Sequence, residues 1–233
     1  GRRFSWGPSS ATLPAMSVPT AKLLVFVSGF VVMVLEIVGA RFLARDFGGS
    51  FYVWVSQIGV ILIALAAGSY LGGAWADRAR RLGPIGVGIL LAGGYTMFLP
   101  ELAPWLIRPI VNRHPIDQAV PLIWQKLDPV LGSAVVFLLP ALVLAMLPPY
   151  LIRWSTHSLH QLGRLSGGIV AANTVGGIAG VFVTGYVLLD TLRLSGIFGC
   201  MGGLMILLGA ACLVADRPCP GRGAGAGDGA NGA

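Results

Sequence analysis

The segment Leu23–Arg81 constrains the chain more than any other. Two apolar runs in it, Leu23–Leu43 and Phe51–Trp75, are separated by a short charged turn and closed by Arg78, Arg80 and Arg81. A helix needs about 20 apolar residues to cross a hydrocarbon layer of about 30 Å, and each run has that length. Only 11% of the 233 residues are charged and 55% are hydrophobic. Soluble domains carry about 25% charged residues, so the whole chain belongs with membrane proteins.

The same design repeats, and the expected fold is all-α and polytopic with six spans. They are Leu23–Leu43, Phe51–Trp75, Gly83–Leu106, Val130–Leu151, Gly167–Leu189 and Leu194–Ala215. The domain plan is a polar N-terminal segment over 1–22, a six-helix membrane domain over 23–215 and a Gly/Ala-rich tail over 216–233, expected to be disordered. Met16 is a candidate start residue, and Gly1–Ala15 has no apolar core of the signal-peptide kind. Thr20 is a plausible N-cap for the first span. Pro100 and Pro104 are expected to kink or end the third, and Pro140 to bend the fourth. Pro121–Leu127 reads either as an amphipathic piece on the membrane surface or as an ordinary loop.

The net charge of +7 invites a nucleic-acid reading, but the basic residues sit in short loops beside apolar segments. There they orient helices and contact anionic lipid. Ten of them (Arg2, Arg3, Lys22, Arg78, Arg80, Arg81, Arg153, Arg164, Arg217 and Arg222) fall on one side of the expected topology. Six (Arg41, Arg45, Arg108, Arg113, Lys126 and Arg193) fall on the other, so both termini are expected to face the cytoplasm. The expected location is the bacterial inner membrane, with the bilayer and other membrane subunits, or a second copy, as partners and no nucleic acid.

Glu36 stands out because it lies roughly 10 Å inside the first span. Ionisable groups at such depth are costly and seek a partner in the bundle interior. Gln57 returns to the same depth on the second span, so a Glu36–Gln57 hydrogen bond is expected, with Arg41 placed to neutralise the acid. These residues with Asn173 make either a polar clasp between helices or a proton or cation relay, and the clasp is the preferred reading. Asn173 and Thr174 are expected to hydrogen-bond across to the second span, with a substrate contact as the alternative. Small residues at close-packing spacing are expected to seat helix on helix: Ala64, Gly68 and Gly72, then Gly176 and Gly180, then Gly199 and Gly203. His157 and His160 lack a third ligand, Cys200, Cys212 and Cys219 lack CxxC spacing, and no nucleotide loop or nucleophile elbow is present. No catalytic residue, metal site or cofactor is expected.

Several short motifs together resemble a known family. Ser28-Gly-Phe, Leu35-Glu36-Ile-Val-Gly-Ala-Arg41, Gly68-Ser-Tyr-Leu-Gly-Gly and Ala76-Asp77-Arg78 are similar to the membrane domain of the spermidine synthase-like, fused major-facilitator/spermidine synthase proteins. Pro140 with Pro148-Pro-Tyr-Leu-Ile-Arg153, and Gly168-Ile-Val-Ala-Ala-Asn173-Thr174-Val-Gly176 with Gly180, Gly185 and Leu188-Leu189, continue the likeness. It covers about Leu23–Leu213. Fused members continue into a soluble aminopropyltransferase domain, whose polyamine-holding acids and nucleotide loop have no counterpart here. The resemblance therefore implies a membrane domain without the enzyme activity. Two functions are expected: an accessory or scaffold subunit of a larger membrane complex, or a small-solute transporter or half-transporter, for a polyamine or cation, acting as a homodimer.

Overall fold

The structure is a computed structural model describing residues 18–78, 81–113, 120–155 and 162–216. The expectations for Gly1–Ala15 and Met16, for His157 and His160, for Cys219 and for the tail beyond Asp216 lie outside them. The described residues are helical apart from short connections, with no strand among them. The helices are α1 (Val18–Phe47), α2 (Phe51–Arg78), α3 (Gly83–Met97), α4 (Leu99–Val111), α5 (Leu122–Ser155), α6 (Leu162–Val183), α7 (Leu189–Thr191) and α8 (Leu194–Ala215), with a π-helical segment, Thr184–Leu188, between α6 and α7. Five of the described helical stretches are long and apolar enough to cross a membrane, and six if α3 and α4 make one broken span.

The third span departs most from expectation. α3 and α4 meet at Phe98 with a bend of 78°. Phe98 (φ −90°, ψ 5°) ends one helix and starts the next, and Pro100 follows in the first turn of α4, where its missing N–H costs nothing. At about 1.5 Å per residue, the 15 residues of α3 fall short of a full hydrocarbon layer. By contrast α5 runs unbroken over 34 residues through Pro129, Pro140, Pro148 and Pro149. Pro121–Leu127 is no separate surface piece: from Leu122 it forms the first turns of α5. α1 is already helical at Val18, so Thr20 sits inside the helix and is not its N-cap.

Three helix pairs build the bundle, each seated on glycines. α2 and α5 run parallel: a Cβ on Gly68 would meet the Leu142 carbonyl, and one on Gly72 would lie 2.5 Å from the Met146 carbonyl. α1 and α6 also run parallel, with Gly176 against the Phe26 carbonyl and Gly180 against that of Phe30. α3 and α8 run antiparallel, with Gly86 facing Gly209 and Gly93 facing Gly202. The glycines of α8 that pack within the chain are thus Gly202 and Gly209. Gly199 and Gly203 meet nothing within 4 Å, so they seat no helix among the described residues.

Polar clasps tie the pairs together where α1, α2, α5 and α8 meet. Ser28 Oγ donates to the Leu144 carbonyl at 3.0 Å. Phe198 of α8 stacks on Phe137 and meets Phe42 edge-on, with centroids 6.1 and 5.4 Å apart. At one end of the bundle Arg153 bonds Asp77 at 2.8 Å, and the Leu82 N–H donates to Asp216 Oδ1 at 2.8 Å. At the other, Arg113 pairs with buried Asp128 and lies 4.2 Å from the Trp124 ring centroid.

Candidate functional site

Gln57 is completely buried at the junction of α1, α2 and α5. Its Oε1 accepts a 2.6 Å bond from Ser133 Oγ, and its Nε2 donates at 3.4 Å to the Leu35 carbonyl. Gly39 makes the room: a Cβ there would collide with the Gln57 amide and lie 3.0 Å from Phe137 Cζ. The clasp is therefore Gln57–Ser133–Leu35, and Glu36 is not in it. Gln57 reaches the level of Glu36, but Glu36 is turned about 100° around α1 from Leu35, whose carbonyl Gln57 uses.

Glu36 is half-buried, with no hydrogen bond or ion pair to any described residue. Arg41 is exposed and does not neutralise it. Glu36 lies three, four and seven residues beyond Met33, Val32 and Gly29, which puts all four on one face of α1. Met33, Val32 and Gly29 line a cavity of about 590 Å³.

That cavity lies among α1, α2, α5 and α6. α2 contributes Leu65 and Ser69, α5 contributes Leu144 to Ile152 through Pro148 and Pro149, and α6 contributes residues from Val170 to Val181. The lining is mostly apolar, with Ser28, Ser69, Asn173 and Thr174 as its polar residues. The cavity exists because α6 packs almost wholly on α1: 17% of the residues in its most apolar stretch are buried, against 61% for α1. Asn173 consequently does not reach α2. Its carbonyl and side chain lie against Gly29 of α1, while Thr174 Oγ1 turns back to the Val170 carbonyl at 3.0 Å.

One turn above Val181 the α6 backbone changes to the π-helical segment. There Thr184, fully buried, donates to the Gly180 carbonyl at 2.6 Å. π-segments interrupt the regular carbonyl ladder and recur at functional sites. Because α1 and α6 run parallel, with Met33 against Gly180, this segment and Glu36 stand at the same height. Sequence reasoning missed the π segment; the run Val181-Phe-Val-Thr-Gly-Tyr carries no Pro to mark it.

No group of three metal-ligating side chains occurs among the described residues, and Cys200 and Cys212 are free thiols. No protein-family model, curated protein or solved structure matches the chain.

Proposed function

We propose that the protein is a non-enzymatic accessory or scaffold subunit of a larger complex in the bacterial inner membrane. In this reading α3 and α4 count as one broken span, giving six, and both ends face the cytoplasm. Lys22, Arg78, Arg153 and Arg164 gather at one end of the paired helices, which fits positive charge held on that side.

The observation that carries the reading is the outer face of α8. Gly196, Gly199 and Gly203 lie on one stripe, and a Cβ on any of them would meet nothing within 4 Å. Glycine inside a helix costs about 1 kcal/mol relative to alanine. Facing lipid, it gains nothing in return. Facing another helix, it lets two backbones approach closely, as Gly202 and Gly209 do within the chain. Purification from native membranes in mild detergent, followed by mass measurement of the particle, tests this. The wild type is expected to co-isolate with stoichiometric larger partners, and Gly199→Leu with Gly203→Leu to release them while keeping its helical content. An unchanged particle in the double variant counts against the reading.

The cavity beside Glu36 favours a second reading, a half-transporter for a small solute that works as a homodimer. A lone homodimer in detergent, with uptake into proteoliposomes by the wild type and none by Glu36→Gln, would put this reading first.

A further inference from the structure

We infer that the cavity among α1, α2, α5 and α6 is a binding site for a cationic amphiphile, with the apolar body in the cavity and a protonated amine on Glu36. The inference concerns equilibrium binding and stands whether or not anything is carried across the membrane.

Three observations converge. First, the cavity has a ligand's size, since small-molecule sites run from about 300 to 1,000 Å³ and this one is about 590 Å³. Its α6 wall extends from Val170 to Val181, roughly 16 Å along the axis, so it suits an elongated apolar group. Second, Glu36 continues the α1 wall, about 5–6 Å beyond Val32 and Met33. It is half-buried, and among the described residues no cation or donor holds it. A carboxyl group at that depth calls for a cationic or donor partner, and a ligand amine supplies it with a charge-assisted hydrogen bond. Third, α2 and α6 both line the cavity but make little or no contact with each other, which leaves a gap through which a lipophilic molecule can enter sideways from the bilayer.

Charge decides the class. Among the described residues the acid at the upper end has no compensating base, so an anionic head there would be repelled. A neutral alcohol or lipid tail would fill the groove but leave Glu36 as it is. An amine on an apolar chain satisfies both parts of the site.

The test is scintillation-proximity binding of tritiated dodecylamine to the full chain in phosphatidylcholine nanodiscs, with empty nanodiscs as baseline and dodecanol as competitor. The wild type should show saturable binding that dodecanol displaces poorly. Glu36→Gln, which keeps the shape and removes the charge, should weaken it roughly tenfold or more. Val181→Trp places a ring in the groove from a position that is 41% exposed, so it disturbs little packing, and should also weaken binding while Glu36 is intact. Equal affinity in Glu36→Gln, in Val181→Trp, or for dodecanol in the wild type overturns the inference. Binding without uptake would leave it standing and remove only the transport reading.

Discussion

The same substitution, glycine to alanine, is expected to act in opposite directions at two positions of this bundle. At Gly180 of α6 a new Cβ would sit 2.5 Å from the Phe30 carbonyl oxygen and 3.2 Å from Met33 Cβ. The oxygen belongs to helical backbone and has no rotamer to escape into. α6 must therefore retreat from α1 by roughly 1 Å, and a gap of that size forfeits a quarter to a half of each dispersion contact across the interface. Overpacking of this kind costs about 1–3 kcal/mol. Alanine returns about 1 kcal/mol of helix propensity, so the net loss for Gly180→Ala is up to about 2 kcal/mol. α6 has little other packing to fall back on. At Gly203 of α8 nothing lies within 4 Å, so the propensity term stands alone and Gly203→Ala should gain up to about 1 kcal/mol in the isolated subunit. Reversible unfolding of both variants in mixed micelles, followed by far-UV circular dichroism, gives the two free energies. A Gly180→Ala variant that gains stability over wild type, or a Gly203→Ala variant that loses it, would refute the assignment of which glycines carry helix–helix contacts within the chain.

Three further outcomes follow from the clasps. Ser133→Ala strips Gln57 Oε1 of its 2.6 Å donor and should cost about 1 kcal/mol in the same unfolding assay, whereas Glu36→Gln should leave stability close to wild type. Asp216→Ala frees the Leu82 N–H at the start of α3 and should cost about 1 kcal/mol, with faster hydrogen exchange at that amide and at Gly83; unchanged exchange would show the cap to be unimportant. Arg113→Gln should destabilise the Asp128 end by about 1 kcal/mol, a value held down because the Arg113 side chain is 41% exposed, and Asp128→Asn should recover part of the loss in the double variant.

Much of the helical layout was legible because the bilayer imposes length. Runs of about 20 apolar residues have few alternatives, and α1, α2, α5, α6 and α8 lie where such runs predict; α8 keeps the bounds of its run, while α1 and α5 extend by a turn or more into their flanks. The third span misled because hydropathy is blind to direction. Gly83–Leu106 is apolar throughout, and only the Phe98-Leu99-Pro100 step marks the 78° turn. Pairing was less legible. The four-residue spacing of Gly199 and Gly203 marks a face of α8 that no described residue covers, while Gly86/Gly93 and Gly202/Gly209, each seven apart, seat α3 on α8 within the chain. Glu36 and Gln57 stand at one level of the bundle, as counting residues along two antiparallel helices predicts. Their angular positions depend on how α1 rotates against α5, which Gly39 and Ser133 set through contacts far apart in sequence. The cavity was invisible for the same reason, since it is a gap left by the packing of α6 on α1 alone.

The account rests on α6 as a lipid-exposed span held by one face. Nitroxide labels placed singly at Val175, Ile178 and Phe182, each more than half exposed, and at fully buried Ile169 as the packed control, report this directly in nanodiscs. The three outward labels should collide freely with oxygen and hardly with a water-soluble nickel chelate, and the Ile169 label should be shielded from both. High nickel accessibility at Val175, Ile178 and Phe182 would show α6 in water, and would contradict the account.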